Sequence, residues 1–247
     1  MRIFGLIGYP LKHSFSEKYF SEKFRREKIN DAKYFLFPLN DIGDFHSLIQ
    51  RFEFAGMNVT IPFKQSIIEH LDEIDGEAGI VGAVNAIKFY KKDNKLTTKG
   101  YNTDVFGFEM LLENFSLPGK VRALILGTGG SSKAVAYVLA KKKIPFSFVS
   151  RKPLNADIIS YRSLSGQMLT EHKLIINATP LGMFPEIEKF PDIPYDFVSG
   201  DHICIDLIYN PAKTAFMMKC EQRQASVVNG MDMLVAQAEQ AWDLWKK

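Results

Sequence analysis

A chain of 247 residues with a formal net charge of +3, 46% hydrophobic and 24% charged, has the length of two modest α/β domains and enough apolar content for a core in each. So mild a basic excess argues against nucleic acid as a partner and suits a site that holds carboxylate and phosphate groups. Cys204 and Cys220 lack CxxC spacing, which predicts a reducing, cytoplasmic setting with no disulfide framework and no metal site. The opening MRIFGLIGYP is too brief for a signal peptide, and no run reaches membrane-spanning length, so no membrane partner is expected.

In chain order, RIFGLIG predicts a strand, Ser14 to Lys28 an amphipathic helix, AKYFLF a second strand, DIGDFHSLIQRF a helix and GMNVT a third strand. A helical stretch is expected to open at Lys64, and VNAIKFY with KLTTKG reads as a hairpin across Lys91 to Asn94. The character then changes. A helix from Asp104 to Glu113 and a bridge, LPGK, lead to the apolar run VRALIL from Val121 to Leu126. GTGGSSKA follows, then AVAYVLAKKK at helical spacing and the strand IPFSFVS. KLIINAT and HICIDLIY read as parallel strands of the same second sheet. Between them Pro180, Pro185, Pro191 and Pro194 exclude regular structure from a long loop, which after a dinucleotide-binding strand is expected to line the cofactor cleft. The last segment, NGMDMLVAQAEQAWDLW, predicts a helix with Met231, Leu234, Val235, Ala238, Ala241, Trp242 and Trp245 on or near one face. Gln237 falls off the centre of that face, and reaching a substrate cleft would require the helix to return to the first domain.

Three segments carry chemistry. NVTIPFK groups Asn58, Thr60 and Lys64 around a proline, and GYNTD sets Asn102, Thr103 and Asp104 just ahead of a helix, so both are loop edges where polar side chains face a ligand. Lys64 and Asp104 make a candidate proton-handling pair. The plainer readings are that Lys64 is a solvated charge and that Asn102 or Thr103 caps the helix.

The third segment is strand, glycine turn, helix. Gly127 permits the tight turn, Gly129 lets the backbone approach a pyrophosphate, and the helix beginning near Gly130 offers unpaired amides to an anion. Ser132 stands where a third glycine would complete GxGxxG. The next strand ends in Ser150, Arg151 and Lys152, hydroxyl and cations where an NAD site carries an acid, which favours NADP. A solvated basic turn, with Asp157 reaching the ribose instead, is the competing reading.

Together these segments resemble the shikimate dehydrogenases, NADP-dependent reductases of the aromatic amino-acid pathway. The likeness runs through GYPLKHSFS, GMNVTIPFK, GAVNAI, GYNTDVFG, LGTGGSSKA, SRK, NATPLGM, DLIYNP and NGMDMLVAQA, nearly the whole chain. It implies an N-terminal α/β substrate-binding domain, residues 1–103 with the helix 230–247 returning to it, and a Rossmann-type dinucleotide-binding domain over 104–229. It makes Lys64 and Asp104 the catalytic pair. Ser14 and Ser16, two apart in an extended segment and so on one face, would hold the substrate carboxylate, joined by Tyr209 as a carboxylate or ring contact. Asn85 and Asn102 would read hydroxyls, with Asn58 on the same loop edge, and Thr60 and Gln237 would complete the pocket. Gly127, Gly129, Gly130 and Ser131 would cradle the pyrophosphate, and Ser150, Arg151 and Lys152 the 2′-phosphate. Thr179, Gly230 and Met233 would lie near the nicotinamide half.

Glu17 stands where the family usually has proline after HSxS, Lys133 where arginine is frequent, and Asn155 and Asp157 where some members carry a further cation. The implied reaction is reversible hydride transfer between NADPH and the C3 carbonyl of 3-dehydroshikimate, with Lys64 giving a proton to the new hydroxyl. His13 inside HSFS is an alternative acid but reads as a structural residue. A quinate/shikimate dehydrogenase, a methylenetetrahydrofolate dehydrogenase and a non-catalytic sensor are the competing functions. The basic turn argues against the first, the HSFS and NTD segments against the second, and the presence of both Lys64 and Asp104 against the third. The expected partner is a small-molecule substrate, and the expected state is monomer or homodimer.

Overall fold

The computed structural model describes residues 1–11, 14–117, 119–153 and 155–246; His13 lies outside them. The chain folds as two compact α/β units, residues 1–103 with 237–247, and residues 104–236.

The first unit is built on six strands: β1 (Arg2–Gly8), β2 (Ala32–Pro38), β3 (Phe54–Val59), β4 (Glu73–Ile74), β5 (Ala86–Lys92) and β6 (Lys95–Tyr101). Their order is β2-β1-β3-β5-β6-β4. β1 pairs in parallel with β2 and β3, while β5 runs antiparallel to β3 and β6. The β5–β6 hairpin closes through Asp93 and Asn94 at φ 52° and 62°, the left-handed pair that matches the twist of a two-residue hairpin and that Asp and Asn tolerate best. Helices α1 (Phe15–Arg26), α2 (Phe45–Arg51) and α3 (Gly76–Val81) fill the connections.

Two local expectations are corrected here. Ser14 and Ser16 do not share an extended segment: Ser14 alone is extended, as the N-cap of α1, and its side chain accepts from the Ser16 amide at 3.3 Å inside the first turn. Lys64 does not open a helix. It follows a turn in which Phe63 N donates to Thr60 O at 2.9 Å, and the next helical piece is a short 3-10 segment, Ser66–His70.

The second unit begins with α4 (Asp104–Glu113) and holds β7 (Ala123–Leu126), α5 (Gly130–Lys141), β8 (Phe146–Ser150), β9 (Ile158–Ser160), α6 (Gly166–Glu171), β10 (Leu174–Asn177), β11 (Ile203–Asp206), α7 (Ala215–Glu221) and β12 (Ser226–Val228). Every pairing in its sheet is parallel, in the order β12-β11-β10-β7-β8-β9. β7 and β10 are buried at every position, as strands covered on both faces must be. Renumbered from β7, this is the doubly wound order 3-2-1-4-5-6, and the chain reverses direction across the sheet between β7 and β10. The expected strand from Val121 starts at Ala123. The proline-rich stretch between β10 and a 3-10 turn at Tyr195–Phe197 carries no helix or strand.

The last helix, α8 (Met231–Lys246), starts in the second unit and from Gln237 onward belongs to the first. There Trp242 and Trp245 join Phe4, Phe20 and Phe24 in the core, and Trp245 Nε1 donates to Ile87 O at 3.0 Å. Gly56 on β3 faces the Trp245 ring so closely that any Cβ would run into it, which is why the strand carries glycine at that point. Glu239 accepts from Tyr19 and, at 2.6 Å, from the buried Lys23 of α1, giving that ammonium the partner its burial requires. No helix among the described residues is long and apolar enough to cross a membrane.

Candidate active site

In the first unit the expected substrate residues gather at the carboxyl ends of β1 and β3 and the mouth of the hairpin. Asn85, just before β5, is 2% exposed and is held on both sides of its amide. Its Nδ2 donates to Thr103 Oγ1 at 2.9 Å and to Gln237 Oε1 at 3.2 Å, and its Oδ1 accepts from Thr103 N at 2.6 Å. Asn102 donates from Nδ2 to Ala83 O at 2.8 Å. Asn58 spends its amide internally, Nδ2 donating to Asn85 O at 3.2 Å and Oδ1 accepting from Tyr34 at 2.8 Å. The Tyr34 hydroxyl also meets Ser16, and burial holds its pKa well above the ordinary phenol value. One polar chain, buried from Tyr34 onward, thus links Ser16, Tyr34, Asn58, Asn85, Thr103 and Gln237. Tyr34 and Thr103 are not among the expected site residues, although Thr103 stands inside the GYNTD segment.

Lys64 is half-buried on the turn after β3, with its carbonyl accepting from Val84 N at 2.7 Å. Thr60, where β3 ends, donates its amide to Ile7 O at 2.9 Å. Ser14 and Ser16 are half-buried at the start of α1. Asp104 and Tyr209 belong to the second unit. Asp104 is the first residue of α4 and is 4% exposed, so its carboxylate sits at the positive end of a helix.

The remaining expected residues of the second unit follow the carboxyl ends of its parallel strands, with the glycine turn after β7 and Thr179 after β10 at the reversal point where this architecture takes its ligands. Gly127 leaves β7 at φ +110°, and a Cβ there would come within 3.1 Å of Ala178 O and Thr179 Cγ2, so the turn needs glycine on both counts. Gly129 is the N-cap of α5 with no side-chain cap, and a Cβ on it would meet no atom within 4 Å. Open space therefore stands beside Gly129 at the start of α5, where no side chain caps the helix and the first turn carries no acidic residue, which fits a bound pyrophosphate. Ser150 turns inward, accepting from Lys152 N at 3.2 Å and donating to Lys152 O at 3.3 Å. It shapes the turn from which Arg151 and Lys152 project, both exposed. Asp157 is exposed, with its amide donating to Asn155 Oδ1 at 3.1 Å. Gly230 packs on the Leu207 backbone and donates to Ile208 O at 3.0 Å, and Met233 is buried one turn into α8.

Behind these loops lies a network of which the sequence reading names only Thr179. Asn177 and Asp206 are register partners at the ends of β10 and β11. Asn177 donates to Asp206 Oδ1 at 3.0 Å and accepts from Thr179 Oγ1 at 2.6 Å. Asp206 also accepts from Ile208 N at 3.0 Å and from Thr214 Oγ1 at 2.6 Å. Burial pushes the Asp206 carboxyl up to about 6 despite those three donors. The signal is present in NATP and DLIYNP, but the pairing depends on the strand register.

The sequence pattern of the shikimate dehydrogenase substrate binding domain matches residues 6–87. A Clostridium beijerinckii protein named shikimate dehydrogenase (NADP(+)) is 37% identical over 255 residues, 100% of this chain and 93% of its own. Shikimate dehydrogenase 1 from Peptoclostridium difficile superposes with a TM-score of 0.85 at 35% identity, over 100% of this chain and 92% of that one. Shikimate 5-dehydrogenase from Thermus thermophilus, solved in complex with NADP(H) and shikimate, gives 0.83 at 27% identity over 99% and 93%. With its doubly wound second unit and its glycine turn, this chain belongs to the shikimate dehydrogenase family.

Proposed function

We propose that this chain catalyses the reversible NADPH-dependent reduction of 3-dehydroshikimate to shikimate, in the route to aromatic amino acids. The observation that carries the reading is the likeness, along its whole length, to a relative named for that activity. The chain is accordingly an NADP-dependent oxidoreductase. Bound NADPH supplies the hydride that reduces the C3 carbonyl carbon.

The protein's own residues do the rest. Lys64 gives a proton to the oxygen that becomes the C3 hydroxyl and takes it back in the oxidation direction, its positive charge stabilising the developing alkoxide. Asp104, at the amino end of α4, accepts a hydrogen bond from a substrate hydroxyl. Ser14 and Ser16, with Tyr209, hold the substrate carboxylate. Asn85 and Asn102 read ring hydroxyls, while Thr60, Asn58 and Gln237 complete the wall; Asn58, whose amide is already engaged, acts by shaping it. Gly127, Gly129, Gly130 and Ser131 hold the cofactor's pyrophosphate, and Thr179, Gly230 and Met233 its nicotinamide half. Arg151 and Lys152 meet the 2′-phosphate from the turn that Ser150 shapes. The buried free thiols of Cys204 and Cys220 support a cytoplasmic setting, and the working state is a monomer or homodimer.

The test is absorbance at 340 nm with purified protein and four mixtures: shikimate or quinate, each with NADP⁺ or NAD⁺. Reduction of NADP⁺ by shikimate, with little from quinate or with NAD⁺, is expected. Equal turnover of quinate would move the chain to the quinate/shikimate dehydrogenases, and no turnover at all to the sensors.

A further inference from the structure

The second unit holds a cleft of about 680 Å³ at the carboxyl edge of its sheet. β8 and β9 pair with Ser150 beside Ser160, so Arg151 leaves one strand end where Tyr161 and Arg162 leave the next. Both arginines line the cleft, together with Asp192, Leu181 and the rings of Tyr161 and Phe190. Neither guanidinium has an ion-pair partner among the described residues.

The walls are fixed. The Tyr161 ring packs on the core of the unit, and its hydroxyl is buried without a hydrogen-bond partner among the described residues. Phe190 lies edge-on to Tyr195, with the Lys219 ammonium 4.2 Å over its ring. Apolar and aromatic surface beside two unpaired guanidinium groups suits a flat base joined to a phosphate.

Charge decides what the second arginine does. Within the lining Arg151 is offset by Asp192, which leaves Lys152 of the adjoining turn as the one net positive charge, whereas a phosphate monoester carries roughly −1.5 to −2 at neutral pH. Arg162 makes the lining net positive, and its rigid fork of donors suits phosphate oxygens better than an ammonium does.

We propose that Arg162 is a second reader of the cofactor's 2′-phosphate, acting with Arg151 from the neighbouring strand end, so that the choice of NADP over NAD rests on both. The inference depends on the NADP reading above, and binding measurements separate the two. Isothermal titration of wild type, Arg162→Ala, Arg162→Lys and Arg151→Ala would use NADP⁺, NAD⁺, 2′,5′-ADP and ADP. For Arg162→Ala the NADP⁺ and 2′,5′-ADP affinities should fall by about tenfold, the scale of one charge-assisted contact, while those for NAD⁺ and ADP barely change. Arg162→Lys should recover part of the loss. Arg162 is exposed, and an unchanged melting temperature will establish that its variants are folded. A loss for NADP⁺ that exceeds the loss for NAD⁺ by less than about threefold overturns the role of Arg162. A wild-type protein that binds NAD⁺ as well as NADP⁺ overturns the cofactor reading itself.

Discussion

Asn85 donates from Nδ2 to Gln237 Oε1 at 3.2 Å, joining residues 152 positions apart. Thr103 completes the triangle, its Oγ1 donating to the same Gln237 oxygen at 3.3 Å. All three side chains are buried, so the middle of α8 is part of the wall on which the substrate residues of the first unit stand. Gln237→Ala should remove an acceptor that buried Asn85 and Thr103 share, lowering stability by about 1 kcal/mol. It should raise KM for shikimate several-fold more than it lowers kcat, while leaving NADP⁺ affinity alone. Urea unfolding and steady-state kinetics check both, and a variant with unaltered stability and KM would remove Gln237 from the site.

Lys64 stands on a turn pinned at Thr60 and Val84, so truncating its side chain should not disturb the backbone. Lys64→Ala is expected to lower kcat by about 10² to 10⁴ with KM for shikimate within roughly tenfold, because a proton donor acts in the transition state. Near-normal kcat with a raised KM would make Lys64 a binding residue.

How much of this is legible in the sequence depends on the range of the interaction. β1 matches RIFGLIG, the hairpin closes on Asp93 and Asn94, and α5 starts at Gly130, because a short apolar run, turn chemistry and a glycine start are written within a few residues. The Ser14 to Ser16 segment misleads because an N-cap borrows extended angles for a single residue before the helix takes over. Lys64 misleads because a proline two residues earlier and a 3-10 segment just after carry no helical period. The Asn85 contact with Gln237 needs α8 to come back across the chain, which periodicity alone does not dictate. The pairing of Asn177 with Asp206 and the nearness of Arg162 to Arg151 follow only from strand register, and β9 is three residues long, too short to announce itself.

Ser132 occupies the position where a third glycine would complete the dinucleotide fingerprint. It is fully buried, and its Oγ has no hydrogen-bond partner among the described residues. A buried hydroxyl in that condition costs on the order of 1–3 kcal/mol, and serine is also a weaker helix former than alanine. Ser132→Ala should therefore raise the melting temperature by about 2–4 °C, a gain near 1 kcal/mol for a chain of this size, with NADP⁺ affinity within twofold. A less stable variant would show that the hydroxyl makes a stabilising bond after all.

Asp206 gives the second unit a pH dependence of definite sign. Its carboxyl rises from 3.8 to about 6, chiefly through burial, against the donors Thr214, Ile208 N and Asn177. A raised folded-state value means the proton is held more tightly folded than unfolded. The stabilisation from that proton is complete below about pH 3.8 and is lost as pH climbs through about 6. The loss is on the order of 3 kcal/mol by linkage. Asp206→Asn removes the titration while keeping an oxygen for Asn177 and Ile208; the Thr214 hydroxyl must then turn from donor to acceptor. Comparing the two proteins at each pH cancels every other titrating group. The stability of wild type relative to Asp206→Asn should fall as pH rises from 4 to 7 and stay level above about 7. Denaturant unfolding across that range measures it, and a difference that is flat, or that grows with pH, would mean that Asp206 is ionised in the folded protein throughout and that its hydrogen bonds outweigh its burial.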